Sequence, residues 1–268
     1  MNILEKQMVD LLIDLKENDS VISVKAEFEA EGTRMDEAMR LKEVSMKAGL
    51  ELTIKIGGCE ALKDMFEASS LGTKNLVAPM VETPYALQKY LRALKIAYNQ
   101  EQRNDMLYFV NIETITAFNN LEKMLEIPEI NLLNGIVLGR TDMTGSLGMS
   151  SDDINSQRIL DICLKAAEIA TAKNLHVVVG GGVSFQSLPF FQCFPAGHLY
   201  RFETRKIVFQ CPGALNNQEP AFLKALEFEL LWLKNKKNYY GNIHREDDIR
   251  VETIEKRYRK SIDAALDQ

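Results

Sequence analysis

Apolar positions along this chain fall into short, nearly unbroken runs, separated by stretches where they recur every three or four residues. The runs are VISVKAEFE (21–29), LELTIKI (50–56), NLVAPMVE (75–82), MLYFVNIE (106–113), GIVLGRTD (135–142) and HVVVGGG (176–182). Strands buried on both faces read as such runs. Between them, 34–47, 60–69, 85–98, 117–125 and 154–173 carry the amphipathic helical period. One strand-plus-helix unit repeats at roughly 25 to 30 residues, the beat of parallel βα units. Residues 1–14 add an amphipathic helix at the start.

Two architectures use this alternation, an open doubly wound sheet and a closed barrel. The open sheet announces its nucleotide site with a glycine-rich turn after the first strand, but the first strand here leads into EAEGTRMDE, with one glycine. The cluster Gly180–Gly182 comes late and lacks the G-x-G-x-x-G spacing. The pattern therefore predicts an α/β fold, a (β/α)₈ TIM barrel. After Gly182 the rhythm loosens: 198–203 reads as a strand and KIVFQ (206–210) as a further short one. The stretch from about Gln218 onward reads as two helices, one around Phe222–Leu233 and one over 249–265. Residues 1–215 are thus expected to form the barrel and 216–268 a C-terminal helical extension. The apolar stripe Phe222, Leu226, Leu230 and Leu233 is wide enough to need a partner surface, and a homo-oligomer is expected.

Composition narrows the function. A net charge of -6 without a long basic run argues against nucleic acid or an acidic membrane surface. The opening residues do not read as a signal peptide, and every stretch long enough to span a membrane carries charges. The four cysteines are widely spaced and form no Cys-x-x-Cys pair, which fits a cytoplasmic protein. The three histidines, His176, His198 and His244, have no ligand spacing. The G-x-S-x-G and Walker patterns are missing.

Barrel chemistry sits at the C-terminal ends of strands. Those predicted ends carry Glu29, Glu31, Lys55, Glu82, Glu113, Asp142 and Glu203. Carboxylates crowded around one mouth repel one another unless a cation intervenes. Oxygen ligands without histidine favour Mg²⁺ or Mn²⁺.

Three of these segments, NLVAPMVETPYAL (75–87), VNIETITAFNNLEKML (110–125) and GIVLGRTDMTGSLGM (135–149), resemble the HpcH/HpaI aldolase and citrate lyase β-subunit family. The likeness spans about residues 24–205. It implies a metal-dependent carbon–carbon lyase acting on a 2-oxo acid, with a pyruvate enolate stabilised by Mg²⁺ or Mn²⁺ on Glu113 and Asp142. It also implies that Gly139, Arg140, Thr141 and the amide of Asp142 cradle the substrate's anionic end. Two positions depart from the family pattern. Lys55 stands where an arginine is usual, keeping a positive charge without the bidentate fork. Gly32 stands where the family places its histidine, which leaves Glu31, Glu82 or Arg34 for the proton-transfer role. An acyl-CoA lyase, or a barrel that binds metal and ligand in a regulatory role, are the other readings. By the same alignment EFEAEG matches the family's second strand, so the remaining strand is either degenerate within 1–19 or supplied by KIVFQ.

Overall fold

The computed structural model describes the backbone of residues 1–266 and the side chains of residues 1–262. Eight strands close into one barrel in chain order. They are β1 (Val21–Glu27), β2 (Glu51–Lys55), β3 (Asn75–Ala78), β4 (Leu107–Ile112), β5 (Gly135–Gly139), β6 (His176–Gly180), β7 (Arg201–Glu203) and β8 (Ile207–Gln210). Helix α1 (Ile3–Asn18) precedes β1, and α2 (Met35–Lys47) and α3 (Leu62–Ser70) follow β1 and β2. After β3 come α4 (Pro84–Ala97) and the short α5 (Gln100–Asn104), and after β4 comes α6 (Ile115–Met124). Helices α7 (Arg140–Ser146) and α8 (Gln157–Thr171) follow β5, α9 (Leu188–Gln192) follows β6, and α10 (Glu219–Leu266) ends the chain.

Strands β1 to β7 pair in parallel, whereas β8 runs antiparallel to both β7 and β1. KIVFQ is therefore the strand that closes the barrel, and the N-terminal segment is helix α1. The reason is chain length. Only Thr204–Lys206 separates β7 from β8, and a parallel return needs about a dozen residues or more. The barrel is the eight-stranded one expected, with its last βα unit replaced by a hairpin.

Side chains alternate between lumen and helices along every strand. Val24, Ala26, Leu52, Ile54, Leu76, Val110, Ile136, Val177 and Phe202 join the large core beneath the helices. The alternate positions fill the lumen, where Val77, Phe109, Val137 and Val178 form a separate apolar belt. Below it Arg201 donates to Asn75 at 2.9 Å, across the barrel from β7 to β3. Above it the lumen turns polar, with Lys25, Glu27, Lys55, Asn111, Glu113 and Glu203.

The expected pair of C-terminal helices is one continuous helix. A glycine inside a helix costs only about 1 kcal/mol, and the residues just before Gly241 are held to α2 by contacts with Glu37. Lys236 pairs with Glu37 at 3.0 Å, and the Tyr240 hydroxyl donates to Glu37 at 2.6 Å. Ala221, Phe222, Ala225, Phe228 and Trp232 are buried against the chain's own barrel. The stripe read from sequence is thus split. Phe222 stacks on Phe209 and Phe202 at 5.7 and 5.9 Å, while Leu226, Leu230 and Leu233 are exposed. Asp267 and Gln268 of the expected extension lie outside the described residues.

Helix α10 is latched to α1 and α2 through Glu5, a buried carboxylate. It accepts from Arg40 at 2.8 Å, from the Asn2 amide at 2.9 Å and from Asn235 at 3.3 Å. Burial pushes its pKa up, but Arg40, the Asn2 amide and Asn235 outweigh burial and hold it below the ordinary value of 4.5. A depressed carboxyl stabilises the fold above that ordinary value and loses the contribution as pH falls through its folded value. Acid should therefore loosen α10 below about pH 4.5, read by fluorescence of Trp232, the sole tryptophan. Glu5→Gln should lower stability at pH 7 by roughly 1–3 kcal/mol and flatten that acid response. Identical acid curves for the two proteins would remove Glu5 from this role.

Candidate active site

Glu113 follows β4 directly, points into the upper lumen and is only 2% exposed. Its carboxylate accepts from the Met80 amide at 2.9 Å and from the Asn111 side chain at 2.7 Å, with Lys55 Nζ at 3.9 Å. The Pro79–Met80 turn explains the first contact. Strand β3 stops at Ala78, and Met80 takes a left-handed φ of 50°, aiming its N–H at Glu113. Burial raises the Glu113 pKa above the ordinary carboxylate value against the pull of Lys55, Met80 and Asn111, and the charge of Asp142 adds to the rise.

A second buried charge group faces it. Lys25 on β1 bonds Glu203 on β7 at 2.6 Å and lies 3.4 Å from Glu27. Burial opposes its charge, but Glu203 and Glu27 together keep the Lys25 pKa raised. Burial likewise pushes the Glu27 carboxyl up, and Lys25 followed by Lys55 brings it below its ordinary value. Lys25, Glu27 and Asn111 were not among the residues expected from sequence. The available signal was alternation: Ser23, Lys25 and Glu27, or Phe109, Asn111 and Glu113, occupy every second position and so share the lumen face.

Two expected proton-transfer residues stand elsewhere. The Glu31 carboxylate is taken up by Lys206, with Arg205 at 4.0 Å, because β1 already ends at Glu27 and Glu31 lies in the loop beyond it. Glu82 accepts the hydroxyl hydrogen of Thr114, the residue that caps α6, because the Pro79–Met80 turn carries it past the strand end. Neither lines the cavity at the barrel mouth. Arg34 at the start of α2 stacks on Tyr240 of α10.

The GRTD segment divides at Gly139. Strand β5 ends there, and Arg140, Thr141 and Asp142 form the first turn of α7. Gly139 is required by packing, since a Cβ would lie 2.7 Å from the Glu113 Cβ. A Cβ on Gly181 would lie 2.6 Å from the Thr141 amide and 2.9 Å from the Arg140 amide, so glycine leaves these amides uncovered. The Arg140 side chain has a different task. Fully buried, it donates to the carbonyls of Gly180 and Gly181, to Asn155 and to Ser187. Burial brings its pKa down to about 10. It ties the end of β5 to the glycine turn after β6.

These groups line one cavity of about 830 Å³, which includes Lys25, Glu27, Lys55, Asn111, Glu113, Asp142 and Glu203. Its floor sets four carboxylates against two ammonium groups, an excess of two negative charges. Among the described residues no three His, Cys, Asp or Glu side chains gather in ligating range. Mg²⁺ requires fewer, since one or two carboxylates with substrate and water complete its shell. Glu113 and Asp142 fit that need, and the buried Oδ1 of Asn111, whose amide nitrogen bonds Glu113, is a further hard oxygen with no hydrogen-bond partner.

The fold recurs among solved structures. A citrate synthase, SbnG, is similar over 85% of this chain and 98% of its own, at 12% identity and a TM-score of 0.58. An HpcH/HpaI aldolase/citrate lyase family protein from Burkholderia cenocepacia J2315 covers 70% and 79%, at 13% identity and a TM-score of 0.56. The HpcH/HpaI aldolase from Desulfitobacterium hafniense DCB-2 covers 67% and 84%, at 12% identity and a TM-score of 0.54. No curated protein sequence matches the chain. The family model for HpcH/HpaI aldolase/citrate lyase matches residues 8–182, a span that contains β1 to β6 and the Glu113, Gly139 and Asp142 segments. This chain belongs to the HpcH/HpaI aldolase/citrate lyase family.

Proposed function

We propose that this chain is a divalent-metal-dependent lyase that breaks a carbon–carbon bond in a 2-oxo acid. The observation that supports it most is the floor itself: buried Glu113 with Asp142 nearby, an orphaned Asn111 oxygen, and negative charge in excess of the lysines. Bound there by Glu113 and Asp142, Mg²⁺ or Mn²⁺ would supply Lewis-acid stabilisation of charge on the keto oxygen. Lys55 lies beside Glu113, positioned to read the substrate's carboxylate. Glu27 lines the cavity and is held ionised by Lys25, and for a 2-oxo acid that carries a hydroxyl on C4 it takes the proton from that hydroxyl. As the C3–C4 bond breaks, a carbonyl compound leaves with C4 and the electron pair passes to C3, where the proton is returned. Buried and paired with Glu203, Lys25 fixes Glu27 and contributes no proton of its own.

The cations lining the cavity are Lys25, Lys55 and Arg205, the first two engaged with floor carboxylates. That supports a free acid over a thioester carrying several phosphates. The four cysteines are all free, which supports a cytoplasmic setting. Among the described residues no helix is long and apolar enough to cross a membrane.

Calorimetric titration with Mn²⁺ tests the site. Glu113→Gln and Asp142→Asn should each weaken Mn²⁺ binding by tenfold or more, a loss on the order of 1.4 kcal/mol. Unchanged affinity in both would overturn the assignment. Lys55→Met should weaken oxalate binding to the Mn²⁺-loaded protein by roughly 1.5–3 kcal/mol, the value of a charged hydrogen bond.

For the assembly, we propose a homo-oligomer built on the exposed Leu226, Leu230 and Leu233 face of α10. Each large side chain covered is worth roughly 1.5–3 kcal/mol. Light scattering on the full chain should give a multimer, and Leu230→Asp with Leu233→Asp should shift it toward the monomer. A full-length monomer would show that this face stays open.

A further inference from the structure

The cavity is larger than a three-carbon oxo acid can fill, and its walls change character away from the floor. Beyond Gly182 it is lined by Val183 and Phe185 from the loop after β6, and by Phe222, Leu223 and Leu226 from α10. Phe222 is buried and fixed, stacked on Phe202 and Phe209 and edge-on to Phe185 at 5.9 Å. Leu223 and Phe185, by contrast, are 57% and 37% exposed. Apolar side chains left open along the wall of a polar cavity suit an apolar ligand. Charged groups on the same stretch are Glu219, Glu229 and Arg205, and Arg205 lies 3.8 Å from Glu229. A second carboxylate on the ligand would meet net negative charge there.

We infer that the groove between the β6 loop and α10 receives the far half of the substrate, and that this half is neutral and apolar. The inference rests on the 2-oxo-acid reading of the floor and names what that acid carries on C4: an aliphatic or aromatic group, so that cleavage releases an apolar aldehyde or ketone. Val183, Phe185, Phe222 and Leu223 are then the specificity-determining residues. All lie beyond residue 182, where the family match ends.

Binding of probe acids to the full chain with Mn²⁺ tests this by calorimetry, without turnover. The probes are pyruvate, 4-phenyl-2-oxobutanoate and 2-oxoglutarate. Each methylene buried is worth about fourfold in affinity, so the phenyl acid should bind at least about tenfold more tightly than pyruvate. The dicarboxylate should gain nothing. In Leu223→Asp and in Phe185→Ser the ratio of phenyl-acid to pyruvate affinity should fall toward one, with thermal melting confirming the fold of these surface variants. If pyruvate binds but the phenyl acid gains nothing, the groove assignment is overturned while the floor reading stands. The same follows if 2-oxoglutarate gains as much, or if neither substitution changes the ratio. If none of the three acids binds, the floor reading falls and the groove assignment falls with it.

Discussion

A carboxylate cannot be placed in the lumen of a closed barrel without compensation, and much of this molecule is arranged around that constraint at Glu113. Its two oxygens take a main-chain N–H from Met80 and a side-chain N–H from Asn111, and an ammonium lies 3.9 Å away. Each donor has its own structural requirement. Met80 delivers its amide only because the backbone turns left-handed after Pro79, Asn111 because it precedes Glu113 by two on the same strand face, and Lys55 because β2 ends beside it. Gly139 on β5 is the fourth condition, leaving the volume that the Glu113 side chain occupies. Even so, burial raises the Glu113 pKa. Its charge is thus only partly compensated by these donors, the property on which the proposed cation site relies.

Closure of the barrel follows a second economy of chain. A helical crossover after β7 would have used a dozen or more residues and placed a helix over the gap between β7 and β1. The three-residue turn Thr204–Lys206 brings β8 back antiparallel instead, and its outward Phe209 joins Phe202 and Phe191 in a stacked aromatic surface, with ring centroids 4.9 and 4.6 Å apart. Such a surface must be covered, and α10 covers it with Phe222. The helix then continues along α1 to the Glu5, Asn235 and Glu37 latch. One short turn therefore decides the position of the whole C-terminal helix, and through it one wall of the cavity.

The sequence carried much of this in readable form. Six of the seven parallel strands are continuous apolar runs, and the Glu113 and Asp142 motifs stand at their ends. Three features were hidden for physical reasons. The antiparallel sense of β8 depends on loop length rather than on hydrophobic pattern, because a buried strand reads alike in either direction. Lys25 and Glu27 sit inside a run read as a strand buried on both faces, where the alternation of Ser23, Lys25 and Glu27 with Val24, Ala26 and Phe28 is the one sign that they share the lumen face. Glu31 and Glu82 looked like strand-end carboxylates because strand ends were placed too late: β1 stops at Glu27 and β3 at Ala78. Shifting a strand end by a few residues moves a carboxylate from the cavity to a loop ion pair or a helix cap. The continuity of α10 rests on tertiary contacts at Lys236 and Tyr240, beside which the cost of Gly241 inside the helix is small.

Gly32, at the position where the family resemblance implies a histidine, and the presence of Lys25 bear on the same point of the proposed reaction. A histidine could move protons at neutral pH without help, whereas a glutamate buried in a lumen tends to take up a proton and lose its value as a base. Glu27 escapes that outcome because Lys25, itself kept charged by Glu203, stands 3.4 Å away. Glu203 and Glu27 together keep the lysine charged against its burial, and Lys25 with Lys55 holds the Glu27 carboxyl below its ordinary value. The three residues thus form one charged unit spanning β1 and β7, and in the proposed reaction it is this unit that would keep a carboxylate ready to take a proton. Because one of its members, Glu203, stands on β7 just before the turn into β8, this side of the floor depends on the same hairpin that carries the chain on to α10.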